Sequence, residues 1–362
     1  INLLNPASYS KIKLISFAVG GTTSFTDIQN NSESDKSKRT SLDYLLVSIP
    51  LKKLGVTFGL MPYSSVGFKT KSNLTELDGS ERFKTKTGSG NVNKFFTGFA
   101  YSVNKNLSFG IDFGYHFGTT ENNFTESLYS PIVLQYSTKE RNTSKTNGYS
   151  INTGIQYSKK ISSKLNLLTS FTFSPETKFK NTNDRVIATV TYSNSGSEAS
   201  FDVSDVVTTK TNMINPSKFS FGAGIGEAKK WLIGTDITFI NNKKLINRFD
   251  MGSAVSFENS TRIAVGGYYV PKYDSFSNYL NRIVYRAGFR YENTGLVINN
   301  TSINDYGMNF GLGLPVGLSR INLGFEFGKK GTTSNNLIEE NYFNLSVGLS
   351  LNDIWFKKRK ID

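Results

Sequence analysis

The chain has no cysteine, which removes disulfides, thiol catalysis, thiolate metal sites and a cysteine-linked lipid anchor together. It has one histidine, His116, too few for a histidine metal cluster or a histidine-based triad unless other residue types complete them. No stretch approaches the roughly eighteen unbroken apolar residues of a spanning helix. Hydrophobic residues make up only 37% of the chain, with a mean hydropathy of -0.31, so any membrane crossing must be made by strands. Linkers rich in proline, glycine or serine are missing as well, and one texture runs through the chain, as in a single large domain. Neither an initiating methionine nor a signal peptide precedes Ile1, so a processed product with its N-terminus upstream is expected.

Aromatic residues, by contrast, reach 13%, with 28 Phe and 18 Tyr beside 32 Gly. That combination suits aromatic girdles outside a barrel and close packing inside it; long amphipathic helices would call for more Ala, Leu and Glu. The formal charge of +14 raises the question of nucleic acid. The basic residues are dispersed over turns and loops, with no basic helix and no zinc pattern, so no nucleic-acid partner is expected. Lipid phosphates would attract the same charge.

Leu107, Phe109, Ile111, Phe113, Tyr115 and Phe117 alternate with Ser108, Gly110, Asp112, Gly114, His116 and Gly118. One face is aromatic and the other small and polar. A soluble sandwich would turn the aromatic face to its core, and a membrane barrel would turn it to lipid. The pattern recurs over residues 149–157, 308–314, 321–327 and 343–351, in runs near the ten or so residues of a tilted spanning strand rather than the average soluble strand. Spanning strands are expected over 12–26, 42–51, 55–69, 94–103, 106–118, 148–158, 164–174, 217–226, 231–240, 262–271, 282–293, 305–315, 319–328 and 341–352. That is about fourteen, an even number, as single-chain bacterial barrels require.

Connection lengths test the parity. Lys52 to Leu54, Asn104 to Lys105, Lys159 to Ser163, Glu227 to Lys230 and Val316 to Leu318 are short, as periplasmic turns are. The intervening ones, among them Asp27 to Ser41, Thr70 to Lys94, Thr119 to Asn147 and Pro175 to Pro216, are long, as extracellular loops are. Lys272 to Asn281 is the exception on the short side. Phe249 to Phe257 also alternates, but counting it as spanning would reverse all later parity, so it is assigned to an extracellular excursion. The expected fold is an all-β, transmembrane, antiparallel up-and-down barrel over 12–356, in the outer membrane of a Gram-negative bacterium. Residues 1–11 form a periplasmic or luminal lead-in, and 357–362 a basic periplasmic tail.

Alternation turns Asp112, His116, Gln156, Asp236, Arg286, Arg290, Asn309 and Glu326 into the lumen. Arg286 and Arg290 share a face and could bind an anionic head group. Pairing with Glu326 or Asp236 is the simpler role, because unpaired charge away from bulk water is costly. His116 is expected to hydrogen-bond within the lumen. The acids are too scattered for an acid/base pair, and Gly88-Ser89-Gly90 lacks the strand-to-helix setting of a phosphate loop. No catalytic residue, metal or cofactor is assigned. Lys357-Lys358-Arg359-Lys360, after Trp355 and Phe356, reads as a solvated tail at the membrane interface.

Asn5-Pro6-Ala7, just ahead of the first strand, resembles the lead into strand one of FadL-like outer-membrane transporters, the family of long-chain fatty acid and aromatic hydrocarbon channels. Tyr285-Arg286-Ala287-Gly288 with Tyr291 is similar to the family's arginine-glycine strand. Gly311-Leu312-Gly313-Leu314-Pro315 and Glu340-Asn341-Tyr342-Phe343, closing on Trp355-Phe356, resemble the Bacteroidetes branch. The resemblance implies an N-terminal hatch inside the barrel, here expected mostly upstream of Ile1, and a lateral opening for hydrophobic ligands. A proline removes a ladder hydrogen bond, so the opening is expected near Pro62. Passive uptake of a hydrophobic small molecule is the first function implied. The second is a non-transporting subunit of a larger secretion or barrel-assembly complex, docking through its long loops. A soluble β-sandwich adhesin is the third. Expected partners are outer-membrane lipid and lipopolysaccharide, a hydrophobic ligand, and other outer-membrane proteins or lipoproteins.

Overall fold

The computed structural model describes residues 1–75, 79–129, 136–193, 197–245 and 254–353. Its strands in chain order are β1 (Ile15–Gln29), β2 (Ser34–Leu51), β3 (Leu54–Thr75), β4 (Glu81–Ser102), β5 (Leu107–Tyr129) and β6 (Ser137–Lys160). They continue as β7 (Leu165–Ser174), β8 (Thr177–Tyr192), β9 (Glu198–Phe201), β10 (Val207–Asn215), β11 (Lys218–Glu227) and β12 (Trp231–Ile240). The last six are β13 (Val255–Phe257), β14 (Ser260–Tyr269), β15 (Val284–Ile298), β16 (Thr301–Val316), β17 (Ser319–Gly331) and β18 (Glu339–Asp353).

Antiparallel pairing runs from neighbour to neighbour, passes from β7 to β11 and from β12 to β14, and closes where β1 pairs with β18 from Ile15–Asp353 to Gln29–Glu339. Among the described residues this is a closed barrel of 14 strands. Closure removes the exposed edges that an open sheet would offer for aggregation.

Side-chain exposure decides between barrel and sandwich. On β5, Phe109 and Phe113 are 44% and 48% exposed on the outside, whereas Ser108, Asp112 and His116 are 0%, 3% and 1% exposed within. A soluble protein would invert that arrangement; a wall facing lipid requires it.

Five tight or short connections join β2 to β3, β4 to β5, β6 to β7, β11 to β12 and β16 to β17 at one end, here called the turn end. Lys52, Lys229 and Gly317 take positive φ in three of them (57°, 63° and 59°). The long connection between β14 and β15 lies at the same end and holds a short 3-10 helix, Leu280–Arg282.

The opposite, loop end departs from expectation. The segments read as loops at Asp27–Ser41, Thr70–Lys94, Thr119–Asn147 and Pro175–Pro216 are largely strand. β3 to β6 run to 22, 22, 23 and 24 residues, against 10 each for β7, β11, β12 and β14. One side of the wall therefore rises well beyond the length needed to cross a bilayer. These extensions are built largely from Thr, Lys, Asn and Ser, with polar residues such as Ser144, Thr146 and Asn181 on their buried face. The ladder continues there while the apolar alternation stops.

β8 and β10 continue the lines of β7 and β11 past Pro175 and Pro216, which interrupt both lines at one level because proline gives no N–H to a ladder. Val255–Phe257 pairs with the loop end of β15 and does not cross the barrel. Residues 249–253 of that run, and the tail from 354 with Trp355, Phe356 and the basic residues 357–360, lie outside the described residues.

Candidate functional site

The lumen is filled on one side and hollow on the other. Filling begins with the N-terminal segment, a 3-10 helix at Pro6–Lys11. Asn5 starts it: its Oδ1 accepts from the Ala7 N–H (3.0 Å), its Nδ2 donates to the Ile155 carbonyl (3.2 Å) on β6, and Pro6 supplies a preset φ. The Asn5-Pro6-Ala7 motif thus ties the segment to the inner wall. Tyr9 is fully buried, and its hydroxyl donates to Asp112 Oδ2 at 3.3 Å.

Inward glycines make the fit. A Cβ on Gly55 would stand 2.1 Å from the Tyr9 carbonyl oxygen, one on Gly110 2.3 Å from the Pro6 carbonyl carbon, and one on Gly154 2.2 Å from Asn5 Oδ1. Three neighbouring stretches of wall are bare where the segment lies against them. Leu3 packs on Ala18, Leu46 and Phe96 to form an apolar cluster beside it.

Towards the loop end an aromatic group continues the filling. A bulge between Pro62 and Ser64 sets Tyr63 out of register on β3. Its ring meets His116 edge-on at 4.3 Å, His116 lies 4.5 Å from Phe179, and the Tyr63 hydroxyl donates to Asn215 Oδ1 at 2.6 Å. His116 Nε2 is 2.7 Å from the Ser150 hydroxyl, while its Nδ1 and Asp112 Oδ1 are buried without a partner.

The other half holds adjoining cavities. A cavity of about 660 Å³ is bounded by Ser170, Gly222, Asp236, Arg262, Asn309 and Glu326. One of about 450 Å³ shares Asn309 and Glu326 with it. A chamber of about 670 Å³ at the turn end shares Tyr44, Arg286 and Asn322 with the second.

The two arginines singled out by spacing belong to different groups. Arg290 bonds Asp305 (3.0 Å), Glu326 (3.1 Å), Glu292 (3.3 Å) and the Tyr342 hydroxyl (2.8 Å). Its guanidinium passes over Gly307, where a Cβ would stand 3.3 Å from Nη2. Asp236 takes a different partner, the Thr238 hydroxyl at 3.1 Å. Arg286 crosses Gly311 and Gly313 to donate to Asn322 Oδ1 at 3.1 Å. Gln156 faces inward on β6, half-buried, opposite Ser108.

Sequence reasoning missed Tyr9, Tyr63, Asp305, Arg282 and Arg320. The last had a readable signal, because Arg320 has the inward parity of Asn322 and Glu326 on β17.

Pro62 stands at a discontinuity in the wall. β2 and β3 pair from Leu51–Leu54 only as far as Leu45–Leu60. Beyond that level β2 pairs with β1 and β3 with β4, leaving a seam between them.

Solved structures share the architecture of this closed barrel, among them two toluene transporters and a FadL homologue. The Pseudomonas putida toluene transporter TodX superposes with a TM-score of 0.57 at 17% identity, covering 96% of this chain and 91% of its own. The Ralstonia pickettii toluene transporter TbuX gives 0.62 at 11%, covering 96% and 92%. A Pseudomonas aeruginosa FadL homologue gives 0.59 at 11%, covering 96% and 91%. At these identities the likeness is one of fold alone. In sequence, the chain matches the BamG family model over residues 1–362 and belongs to that family. Among the curated proteins no match is found. The family that matches is thus BamG rather than FadL, and the comparisons give no support for a Bacteroidetes branch.

Proposed function

We propose that this chain is a passive outer-membrane channel for hydrophobic small molecules, which leave the lumen sideways into the bilayer through the seam between β2 and β3. The observation that carries the reading is the end of the β2–β3 ladder at Leu45–Leu60, next to the Pro62 bulge. Intact walls of membrane barrels pair every backbone group with a neighbour. Tyr44, one residue beyond the last pair, borders both the turn-end chamber and the cavity above it. The loop end then faces outward, and the turn end faces the periplasm.

The absence of cysteine makes the test direct. In liposomes holding the double variant Leu42→Cys/Ser65→Cys, uptake of a hydrophobic probe is expected to drop to the protein-free rate once a cleavable bismaleimide bridges the two strands, and to return on cleavage. Uptake that ignores the bridge would sink the lateral route, and no uptake above protein-free vesicles would sink the channel.

A second reading has its own support. The upright sheet of β6, β8, β9 and β10 stands beyond the wall, braced by Arg185–Glu140 (2.8 Å) and Lys139–Glu198 (2.7 Å) ion pairs. An ordered extension of this kind suits docking in a larger outer-membrane complex for secretion or barrel assembly. Purification from native membranes in a gentle detergent separates the two, since a stoichiometric partner is expected only under the second.

A further inference from the structure

The composition of the turn-end chamber is not what the passage of an uncharged hydrophobic molecule requires. Three guanidinium groups, Arg282, Arg286 and Arg320, and three leucines, Leu3, Leu14 and Leu46, are among the residues that line it. Among the described residues no Asp or Glu lines it, and none of the three arginines has a carboxylate within 4.0 Å. Arg282 stacks over the Tyr279 ring at 5.3 Å and keeps a buried Nε without an acceptor. Arg286 is oriented by Asn322 and has Arg320 as its charged neighbour.

The contrast with Arg290 is informative. On the same strand and the same face, that side chain is surrounded by three carboxylates and a phenol. Like charges gathered in a half-enclosed, low-dielectric space repel, and the fork of N–H donors on each arginine matches an oxyanion.

We propose that this chamber binds the oxyanion head, phosphate or carboxylate, of a small amphiphile, with the arginines taking the charge and the leucines taking the chain. This does not depend on transport, because a barrel that passes nothing would still bind.

The test uses the intact chain in a neutral maltoside detergent, titrated calorimetrically with inorganic phosphate and, separately, with dodecyl phosphate below its micelle concentration. Saturable binding is expected for dodecyl phosphate, weakened about tenfold in R286Q and in R320Q, the range expected when a charged hydrogen bond is lost. Tighter binding of dodecyl phosphate than of phosphate assigns the site to a lipid-like head. Equal binding supports the oxyanion site with free phosphate as its source and overturns the amphiphile.

No saturable binding of either probe, or binding unchanged in both variants, overturns the proposal. Stability keeps the test open if a variant folds poorly. Relief of repulsion predicts that R320Q unfolds no earlier than the parent without ligand, and that phosphate raises the parent's unfolding temperature more than the variant's. A parent stabilised no more than R320Q by phosphate would contradict the site.

Discussion

Inward glycines shape this lumen as much as the charged groups do. Gly307, Gly311 and Gly313 on β16 leave gaps through which Arg290 and Arg286 reach from β15 towards β17, and Gly55, Gly110 and Gly154 leave the track on which residues 5–10 lie. The gaps explain why two arginines on one face end in different surroundings. Four residues of strand separate them by about 13 Å, so each finds its own neighbours. Arg290 is 15% exposed and bonded to three acids. Replacing it by Met is expected to leave those carboxylates uncompensated and to destabilise the barrel by about 3 kcal/mol, the scale for breaking a buried pair from one side. Urea unfolding in detergent, read from the mobility of folded and unfolded chains on a gel, measures it. A loss no larger than that in R286Q would contradict the assignment.

The strands divide into a spanning part that was legible in the sequence and an extension that was not. Phe109 to Phe117 and Phe343 to Leu351 announce themselves because lipid on one side and lumen on the other impose alternation. Along Lys139 to Asn147 and Lys178 to Arg185 the inward positions are mostly polar, with Ser144, Thr146 and Asn181 buried and bonded across the strands, so no apolar alternation marks them in the sequence. The lead-in at Pro6–Lys11 was equally silent beyond its cap, since six residues of 3-10 helix carry no period. Of the luminal residues, parity identified the face of Asp112, His116 and Arg290, but partners such as Tyr9 and Tyr63 come from long-range packing and a bulge.

The extension should also respond to acid. Arg185 holds the Glu140 carboxyl below its ordinary value of 4.5, and Lys139 does the same for Glu198. Depressed carboxyls contribute stability that is present above about pH 4.5 and lost as pH falls through their folded values. Once the slower intrinsic exchange at low pH is allowed for, protection over residues 137–147 and 177–192 is therefore expected to fall between pH 6 and about pH 3.5 while the spanning part of β5 stays protected. Equal loss in both regions would refute an independent response of the extension.

At the scale of the whole molecule, the barrel is neither an open pore nor a solid plug. Residues 3–10, with Tyr63, His116 and Phe179, occupy the side of β3 to β8, and adjoining cavities follow β11 to β18. Every functional reading here depends on that asymmetry. The uptake route needs the hollow side and the seam, and the turn-end chamber is the hollow side's lower end. A docking role would use the tall side.

A cysteine scan in the cysteine-free chain tests the asymmetry most directly. With the protein in lipid vesicles, N309C and S170C, which border the cavities, are expected to react with a membrane-impermeant thiol reagent. S108C and T57C, at fully buried positions on the filled side, should react only after unfolding, and F113C only with a lipid-soluble reagent. Labelling of S108C as fast as N309C, or an unreactive N309C, would contradict a half-filled lumen.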